Sequence, residues 1–319
     1  LPVCAQASEL QRKAALRFWR RWAAVVKAFV AIVVFAIAAA AAAFWHFRPS
    51  DTRPTQLPRI VAGAAALKLK PPDHVVIVVE ENKEYSDIAR NTKNAPYINQ
   101  LIARGALFTH SYGVAHPSQP NYLALFAGLT DENGDGCPPA GIDPAGPSLA
   151  QELIAAHKSF AGYSEGLPAP GSPVCWSGEY ARKHNPWADF TNIPDTVNLP
   201  FSALPAYGQL PTVSFIIPNQ LDDMHSASIS RGDAWLRQHV GPLIDWAATH
   251  NTLFILTWDE SDDAVGNHIP TVFVGPMVQP GRYDDPITHY RVLRTIEEMY
   301  GVGHAGASAG VPPITTVWR

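Results

Sequence analysis

The chain has 319 residues, 47% hydrophobic and only 16% charged, with a formal net charge of −4. No basic field is present to grip a nucleic-acid backbone, so nucleic-acid binding is set aside and any phosphate must be met by a small local site. Pro and Gly number 29 and 22, yet 9 Trp and 10% aromatic residues indicate long ordered loops rather than disorder.

Residues 1–27 form a basic N-terminal segment carrying Arg12, Lys13, Arg17, Arg20, Arg21 and Lys27. Residues 28–47 form an apolar run interrupted only by His46. At ~1.5 Å per residue, ~20 helical residues span the ~30 Å hydrocarbon core. The run is therefore expected to be a transmembrane signal-anchor helix. Its basic flank stays in the cytoplasm, so the rest of the chain is exported and tethered to the inner membrane, facing the periplasm or exterior. Cleavage as a signal peptide is the second reading, because the alanines at 38–43 offer A-x-A-like sites, and the protein is then secreted. Residues 48–72, with Pro49, Pro54, Pro58, Pro71 and Pro72, read as a linker. The remainder, 73–319, has the roughly 250 residues that one large α/β domain needs. Export also places Cys137 and Cys175 where thiols oxidise and can pair, with Cys4 on the other side of the membrane.

The domain opens with a β-branched run, 74–81, that reads as a strand buried on both faces. Residues 95–104 read as a helix and 106–112 as a strand. A helix over 120–128 ends at Gly128, and another over 148–157 is capped by Ser148. A strand over 212–217 precedes Pro218-Asn219. A long helix is expected over 233–250, then strands over 253–258 and 271–274, and a helix over 289–300. Strands alternating with helices imply a mainly parallel sheet covered on both faces, with working residues beyond the strand carboxyl ends.

The polar residues fall there. Glu81-Asn82 follow the first strand, Asp222-Asp223 and His225 follow Asn219, Asp259-Glu260 follow Trp258, and His268 stands before Thr271. A single acidic pair at a loop start is ordinary solvated surface. Several at strand ends suit a divalent cation held by oxygen ligands with some imidazole. Ser118 stands where a loop enters a helix, with Pro120 suited to its first turn. The helix N-terminus binds anions, and a serine there becomes reactive beside a cation. Without that setting Ser118 is a plain helix cap.

The segments Glu80-Glu81-Asn82, His116-Pro117-Ser118-Gln119-Pro120-Asn121-Tyr122, Tyr180 to Pro186, Ile217-Pro218-Asn219, Asp222 to His225, Thr257 to Glu260 and Gly266 to Pro270 occur in one order over residues 73–304. In this the chain resembles the phosphoesterase family of bacterial and fungal acid phosphatases and phospholipases C, within the alkaline-phosphatase-like superfamily. It is most similar to secreted bacterial acid phosphatases, some of them assigned to phosphatidylinositol 3-phosphate. The resemblance implies a three-layer αβα sandwich and a metal-dependent phosphomonoesterase, with a phospholipase C-type phosphodiesterase as the alternative. It implies that Glu81, Asn82, Asp259 and Glu260 hold a divalent cation (Mg, Ca, Mn or Zn), and that Ser118 joins them as the nucleophile. Asn121, Lys183 and His184 are implied as contacts of phosphate or leaving group. Asp223, His225 and His268 occupy the region where two-metal relatives hold a second cation. This chain has Asp259-Glu260 where those relatives have Asp-His, and Glu81-Asn82 where they have Asp. His225 or His268 is then expected as proton donor to the leaving oxygen. The partner is a small phosphate ester or a phospholipid head group.

Overall fold

A computed structural model describes residues 70–262 and 266–319. The basic segment, the apolar run, the linker as far as residue 69, Cys4 and Asp263 lie outside the described residues. Among the described residues, no helix is long and apolar enough to cross a membrane.

The strands are β1 (His74–Glu80), β2 (Ala106–Tyr112), β3 (Phe160–Ser164), β4 (Trp176–Ser177), β5 (Tyr180–Ala181), β6 (Asn198–Pro200), β7 (Val213–Ile217), β8 (Thr252–Trp258), β9 (His268–Val274), β10 (Gly281–Tyr283) and β11 (Ile287–Thr288). A nine-stranded sheet runs β10-β2-β9-β8-β1-β7-β3-β6, with β11 beside β2. β1 pairs in parallel with both β7 and β8 and is central. Its β-branched side chains are buried on both faces, as the unbroken apolar run requires. Only β9 runs against its neighbours β8 and β2. β4 and β5 form a separate antiparallel pair.

The helices are α1 (Tyr85–Ile88), α2 (Pro96–Arg104), α3 (Gln119–Ala127), α4 (Leu149–Ala155), α5 (Ile229–Trp235), α6 (Gly241–Ala247) and α7 (His289–Tyr300). The strand alternation divides the core between the two faces of the sheet. Val75, Ile77 and Val79 pack with α3, α4 and α7 on one face. Val76 and Val78 pack with α2, α5 and α6 on the other. Each fully buried Val, Ile, Leu or Phe contributes about 1.5–3 kcal/mol by leaving water. The expected αβα layering is present.

Local rules account for most boundaries. Gly128 ends α3 with φ +66°, and Ser148 caps α4 by accepting the Gln151 amide. The long helix expected over 233–250 is different. It starts at Ile229 with Ser228 as its cap, and passes through a wider π turn at Leu236–Val240 before Gly241 and Pro242 open α6. Pro242 lacks the amide that an unbroken α-helix would need there. Thr271 is not the start of its strand, because pairing with β2 extends β9 back to His268.

Candidate active site

Parallel, in-register pairing builds the site. Glu80 lies opposite Trp258 at the ends of β1 and β8, so Glu81 and Asp259 leave the sheet side by side. The ladder continues past the strands: Asp259 N donates to Glu80 O at 3.0 Å, and Glu81 N donates to Asp223 O at 2.8 Å. Three acid-bearing loops are thus fastened to one rim. Alternation along β1 turns Glu81 toward α3 and Glu80 to the opposite face.

Ser118 is the first residue before α3 and makes no side-chain cap. Its hydroxyl donates instead to Glu81 Oε2 at 2.9 Å and Glu260 Oε1 at 3.1 Å. Asn82, in the left-handed region with φ +40°, donates its amide to Asp259 Oδ1 at 3.1 Å and its Nδ2 to Glu260 Oε1 at 2.9 Å. His116 pairs with Glu260 Oε2. Tyr122, one turn after Ser118 on α3, donates to Glu81 Oε1 and stacks on His184 with ring centroids 4.8 Å apart. His184 Nε2 lies 3.2 Å from Glu81 Oε1.

The electrostatics are those of crowded, dry carboxylates. Glu81, Asp223, Asp259 and Glu260 are buried. Burial and the charge of Asp223 push Glu81 up to about 8, against the pull of Lys183, Tyr122 and Ser118. Burial, then Glu81 and Glu260, raises Asp259 well above the carboxylate range. Asp223 is raised by burial and Asp259. Burial lowers His184, helped by Lys183, so its imidazole is neutral. Lys183 behaves oppositely: burial works against its charge, but Glu81 and Asp135 outweigh it and raise its pKa.

These residues fit a divalent cation. Asn82 Oδ1, Asp223 Oδ2 and Asp259 Oδ2 are buried oxygens with no hydrogen-bond partner. Ligand atoms of Glu81, His184 and Asp223 all lie within 4.8 Å of one another. Buried like charges with free lone pairs are costly unless something positive offsets them, and hard oxygen donors match Mg²⁺, Ca²⁺ or Mn²⁺, with Zn²⁺ also accepted through His184.

The Phosphoesterase family profile matches residues 90–303. The chain belongs to the Phosphoesterase family. It is 50% identical over 260 residues to the phosphatidylinositol-3-phosphatase of Mycobacterium tuberculosis, covering 80% of this chain and 86% of that protein. It is 30% identical over 258 residues to an acid phosphatase of Aspergillus fumigatus, covering 71% of this chain but only 54% of the relative. The chain therefore spans about half the length of that fungal protein. A solved alkaline phosphatase superfamily protein from Vibrio parahaemolyticus shares the fold at a TM-score of 0.56 and 12% identity, over 78% of this chain and 72% of that one. This member of the Phosphoesterase family is thus a phosphate-ester hydrolase by descent, on an alkaline-phosphatase-like α/β scaffold.

The residues singled out from the sequence distribute as follows. Glu81, Asn82, Ser118, Asp259, Glu260, Asp223, Lys183 and His184 converge. Asn121 stands one turn into α3, but its Oδ1 accepts the Val114 and Ala115 amides and its Nδ2 donates to Ala115 O and Pro117 O. That side chain shapes the loop that bears Ser118. His225 is exposed at the rim, its amide on Asp223 Oδ1 and its Nδ1 near Ser226 Oγ. His268 is occupied elsewhere, with Nε2 at 2.9 Å from Thr109 O and its ring stacked on Tyr85. Cys137 and Cys175 form a disulfide. His289, deep in the protein, reaches Asp259 O with Nε2 at 2.6 Å.

Two site residues carried no motif of their own. Tyr122 lies inside the Ser118 segment, four residues on, and helical spacing alone brings it onto the same face as Ser118. Asp135 lies in the loop after α3, where no periodicity points to it.

Proposed function

We propose that this protein is a metal-dependent phosphomonoesterase in which Ser118 forms a phosphoseryl intermediate. The observation that carries the reading is the Ser118 hydroxyl, free of any capping role and held by Glu81 and Glu260 at the N-terminus of α3. Glu81, Asn82, Asp259, Glu260, Asp223 and His184 form the donor set for the cation. When bound, it supplies Lewis-acid stabilisation of charge on the reacting oxygens.

The Ser118 proton passes to one of the two carboxylate oxygens that already accept it, and Oγ attacks phosphorus in line with the leaving oxygen. The α3 dipole and the Lys183 ammonium favour the charge on the phosphoryl oxygens. His225 at the rim, in its imidazolium form, donates a proton to the departing alkoxide, while His268 Nε2 is engaged by Thr109 O. Water then attacks the phosphoseryl phosphorus and gives a proton back to His225, the P–Oγ bond breaks, Ser118 Oγ recovers its proton from the carboxylate, and phosphate leaves. The similarity to a phosphatidylinositol-3-phosphatase supports phosphoinositide monoesters as substrates. The apolar run at 28–47 supports export and a membrane tether that keeps the site near lipid.

Turnover of an aryl phosphate by wild-type and Ser118→Ala protein tests the chemistry, with expected loss of several decades, about 10³-fold or more. Wild-type turnover in the variant sinks the mechanism. A bis-aryl phosphodiester assayed alongside separates monoesterase from diesterase. Loss of activity on chelation and its return with a divalent cation tests the metal requirement.

A further inference from the structure

Beside the nucleophile, an anion is already in place. Asp135 Oδ1 accepts the Gln119 backbone amide at 3.1 Å, and Asp135 Oδ2 accepts Lys183 Nζ at 2.6 Å. Gln119 N belongs to the residue after Ser118 and is the first amide of α3. Lys183 is 6% exposed and faces the charge of Glu81. One carboxylate thus bridges an amide and an ammonium next to the reacting hydroxyl, with two oxygens on one centre. A phosphoryl group presents the same pattern.

We propose that Gln119 N and Lys183 Nζ are the seat for two non-bridging oxygens of the substrate phosphoryl group, and that Asp135 fills the seat in the free protein and yields it to phosphate. This rests on the phosphatase reading and adds a residue to it: Asp135 sets how tightly substrate and product are held.

The loop is built for such an exchange. The Asp135 side chain is 34% exposed whereas Lys183 is at 7%, so the carboxylate reaches in from solvent and can turn back to it. Gly134, at φ +62°, lies against the nucleophile loop, where an added Cβ would stand 2.9 Å from Pro117 Cδ. A residue without a side chain at 134 lets the loop lie against Pro117, where Asp135 reaches the Gln119 amide. Two residues beyond Asp135, Cys137 is bonded to Cys175, which precedes Lys183 in the chain and lies next to β4. Arg182 N donates to Cys175 O at 2.9 Å, so the bridge pins the loop backbone beside the lysine, while the Asp135 side chain stays partly open to solvent. A returning carboxylate also helps expel product phosphate.

The test uses cation-loaded, catalytically silent Ser118→Ala protein and inorganic phosphate as probe, read by titration calorimetry. Adding Asp135→Asn, which keeps shape and removes charge, is expected to tighten phosphate binding about tenfold or more. Adding Lys183→Met should erase that gain. The structure of the Ser118→Ala protein with phosphate should show phosphate oxygens on Gln119 N and Lys183 Nζ and Asp135 turned to solvent. Equal or weaker binding in the Asp135→Asn protein overturns the inference, as does phosphate bound with Asp135 still on both donors. If the seat behaves as expected but wild-type turnover does not depend on Ser118, the phosphatase mechanism fails and the seat stands. If turnover needs Ser118 but Asp135→Asn does not tighten phosphate, only the present inference fails.

Discussion

Tyr122→Phe removes one oxygen from the site and leaves its packing. The ring is 1% exposed and stacked on His184, and phenylalanine keeps both features. The lost hydroxyl donates to Glu81 Oε1, whose other contact is His184 Nε2 at 3.2 Å, while Oε2 receives Ser118. A hydrogen bond to a charged group contributes about 1.5–3 kcal/mol. In a domain of this size Tm moves by about 2–4 °C per kcal/mol, so a loss of about 3–12 °C is expected in the cation-loaded protein. A residue that orients a metal ligand typically changes metal affinity or activity by about 10–100-fold. Titrating chelated protein with a divalent cation should therefore need about 10–100-fold more metal to restore turnover, with much of the rate recovered at saturation. The assays are a thermal melt and a metal titration of activity. An unchanged melting point together with an unchanged titration midpoint would refute the reasoning, because it would mean that Glu81 does not depend on the phenol.

Two further outcomes follow from other parts of the fold. Breaking the Cys137–Cys175 bridge by Cys175→Ser frees a loop whose ends are 38 residues apart, and should cost about 2–4 kcal/mol, seen as a lower denaturation midpoint. A midpoint equal to wild type would show the loop is held without the bond. Glu297, raised to about 7 by burial, accepts the Ala305 amide and the Ser308 hydroxyl. Its folded pKa lies above the unfolded value, so the folded state binds the extra proton and stability falls as pH rises from about 4.5 to 7, by up to about 3 kcal/mol. Glu297→Gln should shrink the drop in Tm between pH 5 and pH 7.5, and an equal drop in both proteins would count against it.

The parts of this protein legible in its sequence are those where one physical rule acts alone. The β-branched run at 74–80 has no polar face to offer, so it had to be a central strand. Acids one residue past Glu80 and Trp258 had to emerge at the same rim once the strands were parallel. Other features depend on tertiary neighbours. β3 is short and contains Gly162, which reads as a break, yet an added Cβ there would come 2.1 Å from Trp187 Cε2, so the glycine marks a close approach of core aromatics. β6, β10 and β11 are edge pairings of two or three residues with no pattern to detect. The reversed direction of β9 is invisible in a run such as 271–274, because alternation carries no sense of direction. From its place before a strand, His268 is expected as a proton donor or a neighbour of a second cation. Its register opposite Tyr112 instead turns it toward Thr109 and Tyr85. Asp135 was hidden because its role comes from two donors that are near in space and far in sequence.

Asn267 gives the reversed strand a metrological office. Its Oδ1 receives the Ser261 amide, its Nδ2 reaches Ala115 O, and its carbonyl accepts Gly113 N. One amide residue therefore spans the loop that bears the acids and the loop that bears the serine. The spacing between Ser118 and the carboxylates is thus set by how β9 lies along β2 as well as by the hydrogen bonds that Ser118 itself makes. A slip of that alignment would leave every reacting group intact and still put the instrument out of adjustment.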